Sequence, residues 1–389
     1  MTDEIRLQLA EQYKTPLYIF DADVFAARLA AVKEAFGGDV SLCYSIKANP
    51  FLLRVLPPQL DMLEVCSPGE LTVCENSGVD LTRIVFSGVN KTAESVARAM
   101  DDKVGVFTAE SPLHVQLIEQ AAAQRGITVP VLMRLTSDNQ FGMDEEIIVS
   151  LAAQRAQWPH IEFVGLHYFS GTLKKRPTLV GRELDKLRAL AERIRTETGL
   201  VLTRMEYGPG LWIDYFGEDP DAAELALLGE IAPLIHAMGQ EYCLTVEMGR
   251  YYSAPCGTYI TTVMDTKTNC GYHYAVVDGG LHQMNYDGQM KGTQVPEIRR
   301  LNGADGEKED WCIVGSLCTP NDVLVRRAEM PAPQRGDMLA FCRTGAYSIN
   351  EGFAFLLSRD LPAVIIWSQA GGAHTAREHM RLDPFNTPM

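Results

Sequence analysis

The chain has 389 residues, of which 46% are hydrophobic, and its formal net charge is −15. A chain of this length can form two domains, or one barrel with an appendage. The acidic balance argues against a nucleic acid or an anionic membrane surface as the partner. The start of the chain lacks the apolar stretch of a signal peptide, and no run approaches the roughly 18 apolar residues of a membrane span. We therefore expect a cytoplasmic protein.

The nine cysteines are scattered and include no C-x-x-C pair. Disulfide frameworks and zinc sites both need cysteines at characteristic spacings. The cysteine pattern therefore predicts neither a disulfide framework nor a metal site.

Strand and helix patterns alternate through the first two thirds of the chain. An amphipathic helix is predicted over residues 3–13, a strand over 17–21 and a helix over about 22–36. Helical patterns then separate most members of a series of eight strands, predicted at 42–47, 62–66, 84–87, 104–107, 129–135, 163–169, 204–207 and 244–247. Eight strand–helix units in roughly 210 residues are typical of a (β/α)8 barrel, whose catalytic residues collect at the carboxyl ends of the strands.

The pattern changes after residue 252. Short β-type runs at 258–264, 274–277, 312–314, 323–326 and 338–341 are separated by Gly, Pro, Asn and Asp, which predicts a β-rich second domain. We assign residues 15–252 to the barrel, and residues 1–14 and 253–389 to the β-rich domain. The tail after Gln369 is predicted to be poorly ordered.

The stretch 43–50, Cys-Tyr-Ser-Ile-Lys-Ala-Asn-Pro, is β-prone and ends abruptly at Lys47. Pro50 disfavours helical backbone at Asn49, so Lys47 is predicted to stand at the end of a strand. Most lysines are surface charges and are almost never fully buried unless paired. A desolvated lysine, however, can hold a carbonyl compound as a Schiff base. Both interpretations of Lys47 stay open on this stretch alone.

At residues 64–70, Glu64 ends a predicted strand and Ser67-Pro68 opens a helix. The first turn of a helix favours a carboxylate such as that of Glu70. Helix capping is the simpler explanation of this motif.

His167 lies inside an otherwise apolar strand, and Ser170 follows three residues later. A lone histidine of this kind is more often a satisfied core residue than a functional one. Beside a flat aromatic cofactor, however, His167 could stack on the ring while Ser170 and nearby backbone N–H groups face a phosphate.

Two further strand ends carry glycine and charge. Gly208 and Gly210 form a turn where the backbone can approach an anion closely, although plain turn chemistry explains them equally well. Glu247, Gly249 and Arg250 leave one strand within four residues. The glutamate could keep a pyridine nitrogen protonated, and the glycine amide with the arginine could bind a phosphate or a substrate carboxylate. An ordinary Glu–Arg pair at the barrel rim is the alternative.

In the second domain, residues 315–322 and 344–348 form corners rich in glycine and hydroxyl groups. They carry a thiol at Cys318, a carboxylate at Asp322 and a phenol at Tyr347. Each corner alone passes as a turn, but together with the barrel motifs they indicate a cleft between domains or between subunits.

Taken in this order, the motifs resemble the alanine-racemase-fold decarboxylases that use pyridoxal 5′-phosphate (PLP), the group containing diaminopimelate and ornithine decarboxylases. The resemblance covers residues 18 to about 355. It implies a PLP-binding (β/α)8 barrel followed by a β-rich domain. In the family's Tyr-x-x-Lys-Ala-Asn motif, Lys47 would carry the cofactor covalently, with His167 stacked on the ring and Glu247 paired with the ring nitrogen. The phosphate or its approach would be surrounded by Ser170, Gly208, Gly210, Gly249, Arg250 and Tyr347.

Members of this family are head-to-tail homodimers whose cysteine reaches the neighbouring subunit's site. The resemblance therefore implies that Cys318 acts in trans as the proton donor to the decarboxylated carbon. Arg134 also matches a family segment, and with His282, Thr319 and Asp322 it is expected near the substrate. Racemases of this fold usually place an arginine near the ring nitrogen, so a glutamate at position 247 favours decarboxylation.

Departures from the family pattern bear on the substrate. Pro209 replaces the middle glycine of the usual Gly-Gly-Gly and removes one N–H donor. Thr319 follows Cys318, where ornithine and diaminopimelate decarboxylases carry an acidic residue for the distal ammonium. The arginine that diaminopimelate enzymes use for the distal carboxylate is not found after residues 277–282 either. The pattern looks like the branch that decarboxylates conjugated amino acids, among which we favour a citryl-diaminopropionate-like substrate of siderophore biosynthesis.

Four other interpretations stay open. The chain could be a decarboxylase of free diaminopimelate, ornithine or lysine, or an amino-acid racemase. It could also be a catalytically dead partner subunit. A non-enzymatic PLP carrier is disfavoured, because such proteins are single barrels and this chain has a second domain with Cys318 and Tyr347.

Overall fold

The computed structural model describes residues 1–287 and 292–388. The chain forms two compact units. The first unit comprises Met1–Ala27, Asp214–Pro220 and Tyr252–Met389, and the second comprises Arg28–Ile213 and Asp221–Tyr251.

Helices and strands alternate in the order that the sequence predicts. The helices are α1 (Asp3–Tyr13), α2 (Ala22–Phe36), α3 (Pro68–Asn76), α4 (Ala93–Asp101), α5 (Pro112–Arg125), α6 (Glu145–Ala153), α7 (Pro177–Thr198), α8 (Pro220–Glu241), α9 (Arg250–Ser253) and α10 (Asp383–Asn386). The strands of the second unit are β2 (Ser41–Ser45), β3 (Met62–Val65), β4 (Ile84–Phe86), β5 (Val106–Ala109), β6 (Val129–Arg134), β7 (Ile161–Phe169), β8 (Arg204–Gly208) and β9 (Cys243–Met248).

The eight strands β2–β9 close into a parallel barrel, which confirms the predicted (β/α)8 fold. Closure is completed where β2 pairs with β9, with Cys43 opposite Glu247. Alternate residues of a strand point to opposite faces of the sheet. The barrel therefore has an apolar interior layer, formed by Cys43, Val85, Val106, Leu132 and Val164. Two residues further along most of these strands lie the polar groups of the carboxyl ends.

Helix caps determine where α3, α4 and α5 begin after their strands. Ser67 and Ser111 accept hydrogen bonds from the third residue of α3 and α5, and Pro is the first residue of each helix. Thr92 and Ser95 form a reciprocal capping box at the start of α4. Such caps satisfy N–H groups that would otherwise lack partners, so each helix begins within a few residues of its strand.

The first unit is built on one mixed sheet. Its strands are β1 (Leu17–Asp21), β10 (Gly257–Asn269), β11 (Tyr272–Val277), β12 (Ile298–Arg300), β13 (Lys308–Val314), β14 (Val323–Pro331), β15 (Met338–Cys342), β16 (Ala363–Ser368) and β17 (Gly372–Arg377). The order is β14-β13-β11-β10-β1-β16-β17, and β15 pairs with β10 and β12. The predicted β-rich second domain is therefore confirmed.

The predicted barrel boundary at residue 15 differs from the division in the structure, which falls after Ala27. The reason is strand pairing: β1 is antiparallel to β10 and parallel to β16, so it belongs to the sheet of the first unit. Its five residues are all buried. A buried strand followed by a helix has the same local pattern whether it enters a barrel or another sheet, so local sequence alone did not separate the two cases.

The tail predicted to be poorly ordered after Gln369 is instead structured. Strand β17 pairs with β16 as an antiparallel hairpin, and α10 follows it. Disorder was predicted because chain ends are poorly ordered unless they are tied down, and pairing with the apolar strand β16 ties this end down.

Helix α8 is 22 residues long, and its hydropathy and length match those of a membrane span. Seven of its residues are nevertheless buried in the protein, including Leu227, Ile231 and Ile235. Glu224 is also buried and forms an ion pair with Arg28 at 2.9 Å. Acidic side chains are almost never fully buried unless they are paired, so the ion pair with Arg28 accounts for the burial of Glu224.

Barrel closure has a steric requirement at Gly165 in β7. A Cβ added there would lie 1.9 Å from the backbone oxygen of Arg204 in β8. We expect Gly165→Ala to lower the free energy of unfolding by about 3 kcal/mol or more, because a rigid backbone atom must move. Urea unfolding monitored by circular dichroism measures this change.

The matched control is Gly229→Ala on α8, where an added Cβ meets nothing within 4 Å. That variant should be stabilised by up to about 1 kcal/mol, because alanine is the better helix former. Equal stability of the two variants would contradict the assigned strand register.

Candidate active site

Lys47 lies directly after β2, in the short 3-10 turn Ile46–Ala48, as its predicted place at a strand's end requires. The turn is held by Asn49, whose side chain accepts from the Phe51 N–H at 3.1 Å, and by Tyr44, whose hydroxyl donates to the Asn49 carbonyl at 2.9 Å. The Lys47 side chain is 36% exposed. The amine is thus held at the open end of the barrel rather than on an outer face.

The Lys47 amine is surrounded by acceptors. It donates to Glu64 Oε2, lies 3.5 Å from Cys66 Sγ, and is 3.7 Å from Glu247 Oε1. Glu64 and Glu247 are 4% and 8% exposed. A buried carboxylate is stable only when a charge or hydrogen-bond donor compensates it, and Lys47 serves both.

Glu64 was not identified as a site residue from the sequence. Strand pairing places it opposite Ser45, so it faces the same interior as Lys47. Its second oxygen accepts from the Cys66 thiol at 3.1 Å, and burial, followed by the Glu64 charge, raises the pKa of Cys66 well above its usual value. Cys66 is therefore a thiol and not a thiolate. The available signal was an acidic residue at the end of the neighbouring strand.

Glu247 and His167 meet inside the barrel. His167 Nε2 lies 3.0 Å from Glu247 Oε2, and Ser45 donates to Glu247 Oε1 at 3.0 Å. Burial alone would raise the pKa of Glu247, but the Lys47 charge and the His167 contact hold that pKa well below its usual value. Within residues 1–287 and 292–388, Nδ1 of His167 is buried without a hydrogen-bond partner. The structure thus brings Lys47, His167 and Glu247 together.

Glu206 is a second site residue that sequence reasoning missed. It pairs in register with His167 across β7 and β8, and the ligand atoms of Glu206, His167 and Glu247 all lie within 4.8 Å of one another. Burial, and then the charges of Glu247 and Glu64, raise the pKa of Glu206 well above its usual value. The opposite shifts of the two pKa values favour a neutral Glu206 beside an ionised Glu247.

The predicted phosphate-facing residues of the barrel lie at the ends of β7, β8 and β9. Gly210 has φ +57°, and an added Cβ would lie 2.0 Å from the Gly171 carbonyl oxygen. Gly249 is also crowded, since a Cβ there would lie 2.7 Å from that of Ala48. Gly208 closes β8, and Arg250 begins α9.

Ser170 lies just beyond β7, and its hydroxyl donates to Glu183 on α7. A hydroxyl committed to a carboxylate does not have its proton free for a phosphate. This contact with α7 is not visible in the local sequence, because Glu183 is thirteen residues further along the chain.

Arg134, predicted to contact substrate, forms a buried ion pair. Its Nη1 lies 2.6 Å from Glu110 Oε1, and its guanidinium lies 5.0 Å from the ring centroid of Phe141. The other Glu110 oxygen accepts from the Gly142 N–H at 3.2 Å. Arg134 thus holds the loop after β6.

The remaining predicted site residues belong to the first unit. Cys318 is exposed and Thr319 is half-buried, in the turn after β13. Asp322 is buried and accepts from the backbone N–H groups of Leu281 and Leu317, both at 2.8 Å.

His282 is buried in the same unit, and burial followed by the Arg359 charge lowers its pKa to about 4. Tyr347 is half-buried and has φ +63°. The hydrogen-bond partners of Asp322 and the Arg359 charge near His282 thus all belong to this same unit.

The barrel residues fit a pyridoxal phosphate. Lys47 offers a partly exposed amine, and Glu247 offers a carboxylate that stays ionised, as a protonated ring nitrogen requires. His167 presents a buried ring with an unpartnered Nδ1 among the described residues. The crowded Gly210 and Gly249 leave backbone without side chains at the strand ends, where an anion can approach closely.

Comparisons with known proteins agree with the fit of the barrel residues to pyridoxal phosphate. Residues 22–254 match the family model described as pyridoxal-dependent decarboxylase, pyridoxal binding domain. The chain is 30% identical over 378 residues to a diaminopimelate decarboxylase of Mycobacterium bovis, covering 87% of this chain and 83% of that one. It is 26% identical over 390 residues to the L-glutamyl-[BtrI acyl-carrier protein] decarboxylase of Niallia circulans, covering 92% and 90%.

The fold has close counterparts among solved structures. Diaminopimelate decarboxylase of Helicobacter pylori, complexed with L-lysine, superposes with a TM-score of 0.86 at 24% identity, covering 97% of this chain and 98% of that one. The family match spans the closed barrel that carries Lys47, His167 and Glu247. On this evidence, the chain belongs to the pyridoxal-dependent decarboxylase family and is a PLP-dependent amino-acid decarboxylase.

Proposed function

We propose that this decarboxylase acts on a conjugated amino acid whose distal end carries no free ammonium, such as a citryl-diaminopropionate-like intermediate of siderophore biosynthesis. The observation that carries the proposal is Thr319, the neutral residue directly after Cys318. A free diamine needs a carboxylate partner for its distal charge. Thr319 offers a hydroxyl, which accepts from the Asn321 N–H at 3.3 Å.

Asp322, the acidic residue nearest to Thr319 in sequence, does not supply the carboxylate that a distal ammonium would need. Asp322 is the one acidic residue of the segment 315–322, and it is 3% exposed. Its oxygens are occupied by the backbone N–H groups of Leu281 and Leu317. Asp322 therefore organises its own turn, and this supports a distal group that is not a simple ammonium.

The relatives support a conjugated substrate without identifying it. One relative is named for a glutamyl group carried on an acyl-carrier protein, which is a conjugated amino acid. Several others are named diaminopimelate decarboxylases, so decarboxylation of a free basic amino acid is the second candidate. The two candidates differ in the charge at the distal end of the substrate.

The barrel residues have separate roles in the proposed reaction. PLP, when bound, supplies the electron sink that accepts the pair released as CO2 leaves. Lys47 would be the amine that holds the cofactor, and Glu64 would orient that amine. Glu247 would keep a negative charge where the ring nitrogen must stay protonated. His167 would pack against the ring, and Arg250 with the glycines would bind the phosphate.

The assembly and the proton donor also belong to the proposal. We place Cys318 as the donor of a proton to the decarboxylated carbon in the neighbouring subunit of a homodimer, with Tyr347 near the phosphate. The exposed thiol of Cys318 supports this role, since a proton donor must reach substrate.

The substrate proposal predicts a distinct order of turnover. Purified enzyme with PLP should release CO2 from citryl-diaminopropionate faster than from free lysine, ornithine or diaminopimelate by about tenfold or more, since burying an unpaired distal ammonium is costly. Coupled CO2 detection under single-substrate conditions measures the rates. A glutamyl-carrier conjugate serves as the comparison arm, and equal or faster turnover of a free diamine would overturn the proposal.

The cofactor attachment predicts a specific covalent adduct. Borohydride treatment of the enzyme with PLP should leave a reduced pyridoxyl group on the peptide that contains Lys47, read by mass spectrometry. Lys47→Ala should lose the adduct and the visible absorbance, whereas Lys308→Ala, an exposed lysine of β13, should keep both. An adduct on another lysine in the unmodified enzyme would contradict the assignment.

The role of Glu247 predicts a loss in kcat with retained cofactor. Glu247→Gln removes the charge but keeps the shape, so kcat should fall by about 10²- to 10³-fold. PLP should still attach to Lys47, as the absorbance spectrum will show. Glu162→Gln, at an exposed position of β7, is the matched control and should leave kcat unchanged. An unaltered kcat in Glu247→Gln would remove Glu247 from the mechanism.

A further inference from the structure

One buried carboxylate that has no role in the proposed reaction accepts three hydrogen bonds. Glu183 on α7 accepts from Ser170 at Oε1, and from Lys174 at 2.7 Å and Tyr207 at 2.5 Å at Oε2. Ser170 and Lys174 lie in the segment after β7, and Tyr207 is in β8. We call these four residues the Glu183 cluster. It joins a helix to two consecutive strand ends.

The Glu183 cluster is not explained by stability alone. The side chains of Lys174 and Glu183 are each 5% exposed, and Tyr207 is fully buried. Burial lowers the pKa of Lys174, which shows that desolvation opposes its charge. A buried ion pair is often no more stabilising than well-packed apolar residues, so its value lies in fixing positions.

What the cluster fixes is the backbone after β7 and β8. The Lys174 N–H donates to the Gly210 carbonyl at 2.9 Å, and the Trp212 N–H donates to the Lys174 carbonyl at 3.2 Å. Gly210 packs so closely against Gly171 that no Cβ fits. The segments 170–176 and 208–212 are therefore locked to each other, and the Lys174 side chain ties both to Glu183.

One of these two segments is where an anion is expected. In barrels of this class, phosphate sites are frequently formed by the loops after the seventh and eighth strands, and the segment 208–212 follows β8, the seventh strand of this barrel. The segment 170–176 follows the sixth strand and is hydrogen-bonded to the segment 208–212. Pro209 has no N–H, so fewer backbone donors remain than a run of three glycines offers. Each remaining donor must then be held more accurately.

We propose that Glu183 is a positioning residue for the phosphate of the cofactor, because it holds the segments 170–176 and 208–212 in the arrangement that binds this group. The inference rests on the proposed placement of the phosphate at Gly208 and Gly210. Glu183 itself does not touch the cofactor. Its effect is confined to the phosphate end, so ring binding and phosphate binding should separate when it is changed.

The test compares PLP with pyridoxal, which has the same ring and aldehyde but no phosphate. Dissociation constants of both for the apoenzyme are measured by absorbance titration. Glu183→Gln should weaken PLP binding by about tenfold, because a charge-assisted hydrogen bond to Lys174 is lost. Pyridoxal binding should change by less than about twofold. The matched control is Glu197→Gln, which breaks an exposed ion pair with Arg193 on the same helix.

A second variant covers the case in which Glu183→Gln does not fold. Tyr207→Phe removes one hydrogen bond to Glu183 while keeping the ring, and it should weaken PLP binding by a few fold with the same selectivity. Equal losses for PLP and pyridoxal, or unchanged PLP affinity, would overturn the inference. If the unmodified enzyme bound pyridoxal as tightly as PLP, the proposed phosphate site itself would fail, which is a different result.

Discussion

The contact on which the site depends is the ammonium of Lys47 among the carboxylates of the barrel end. Glu64 and Glu247 are both nearly inaccessible to solvent, and Lys47 approaches each of them. Two buried negative charges so close together would be unstable without a cation. The same constraint raises the pKa of Glu206, the third acid, which favours its neutral form. Lys47 thus offsets part of the negative charge, and a neutral Glu206 adds none.

This balance has a chemical consequence. An amine that is held by carboxylates on two sides points into the barrel end, where a carbonyl compound can reach it. The carboxylate of Glu247 stays ionised although it is buried, and an ionised acid is what a protonated ring nitrogen needs as a partner. Lys47, the cation that stabilises this arrangement, is also the amine that we propose holds the cofactor. On that proposal, stability and function depend on the same contacts.

In the first unit, the buried carboxylate of Asp322 likewise holds several neighbouring groups in place. Its buried carboxylate ties the turn that bears Cys318 to the segment 279–282 through two backbone N–H groups. Gly280 and Gly315 pack against this carboxylate, where a Cβ would lie within 2.7 Å of it. An exposed thiol is thus carried by a turn whose backbone is well determined. Thr319, which follows the thiol, is the position at which the substrate proposal distinguishes this chain from the diamine decarboxylases.

The sequence alone determined the barrel, the β-rich unit and the residues at the ends of β2, β7 and β9, because the alternation of apolar strand runs with helical patterns and the chemistry of turns are local signals. The tertiary structure decided what pairing over long separations controls. Strand β1 joined the sheet of the other unit through β10 and β16, and Glu64 and Glu206 became site residues through their neighbours Ser45 and His167. A strand pattern states which residues face inward but not which strand lies beside it, so only the closed barrel revealed which acids share one cation.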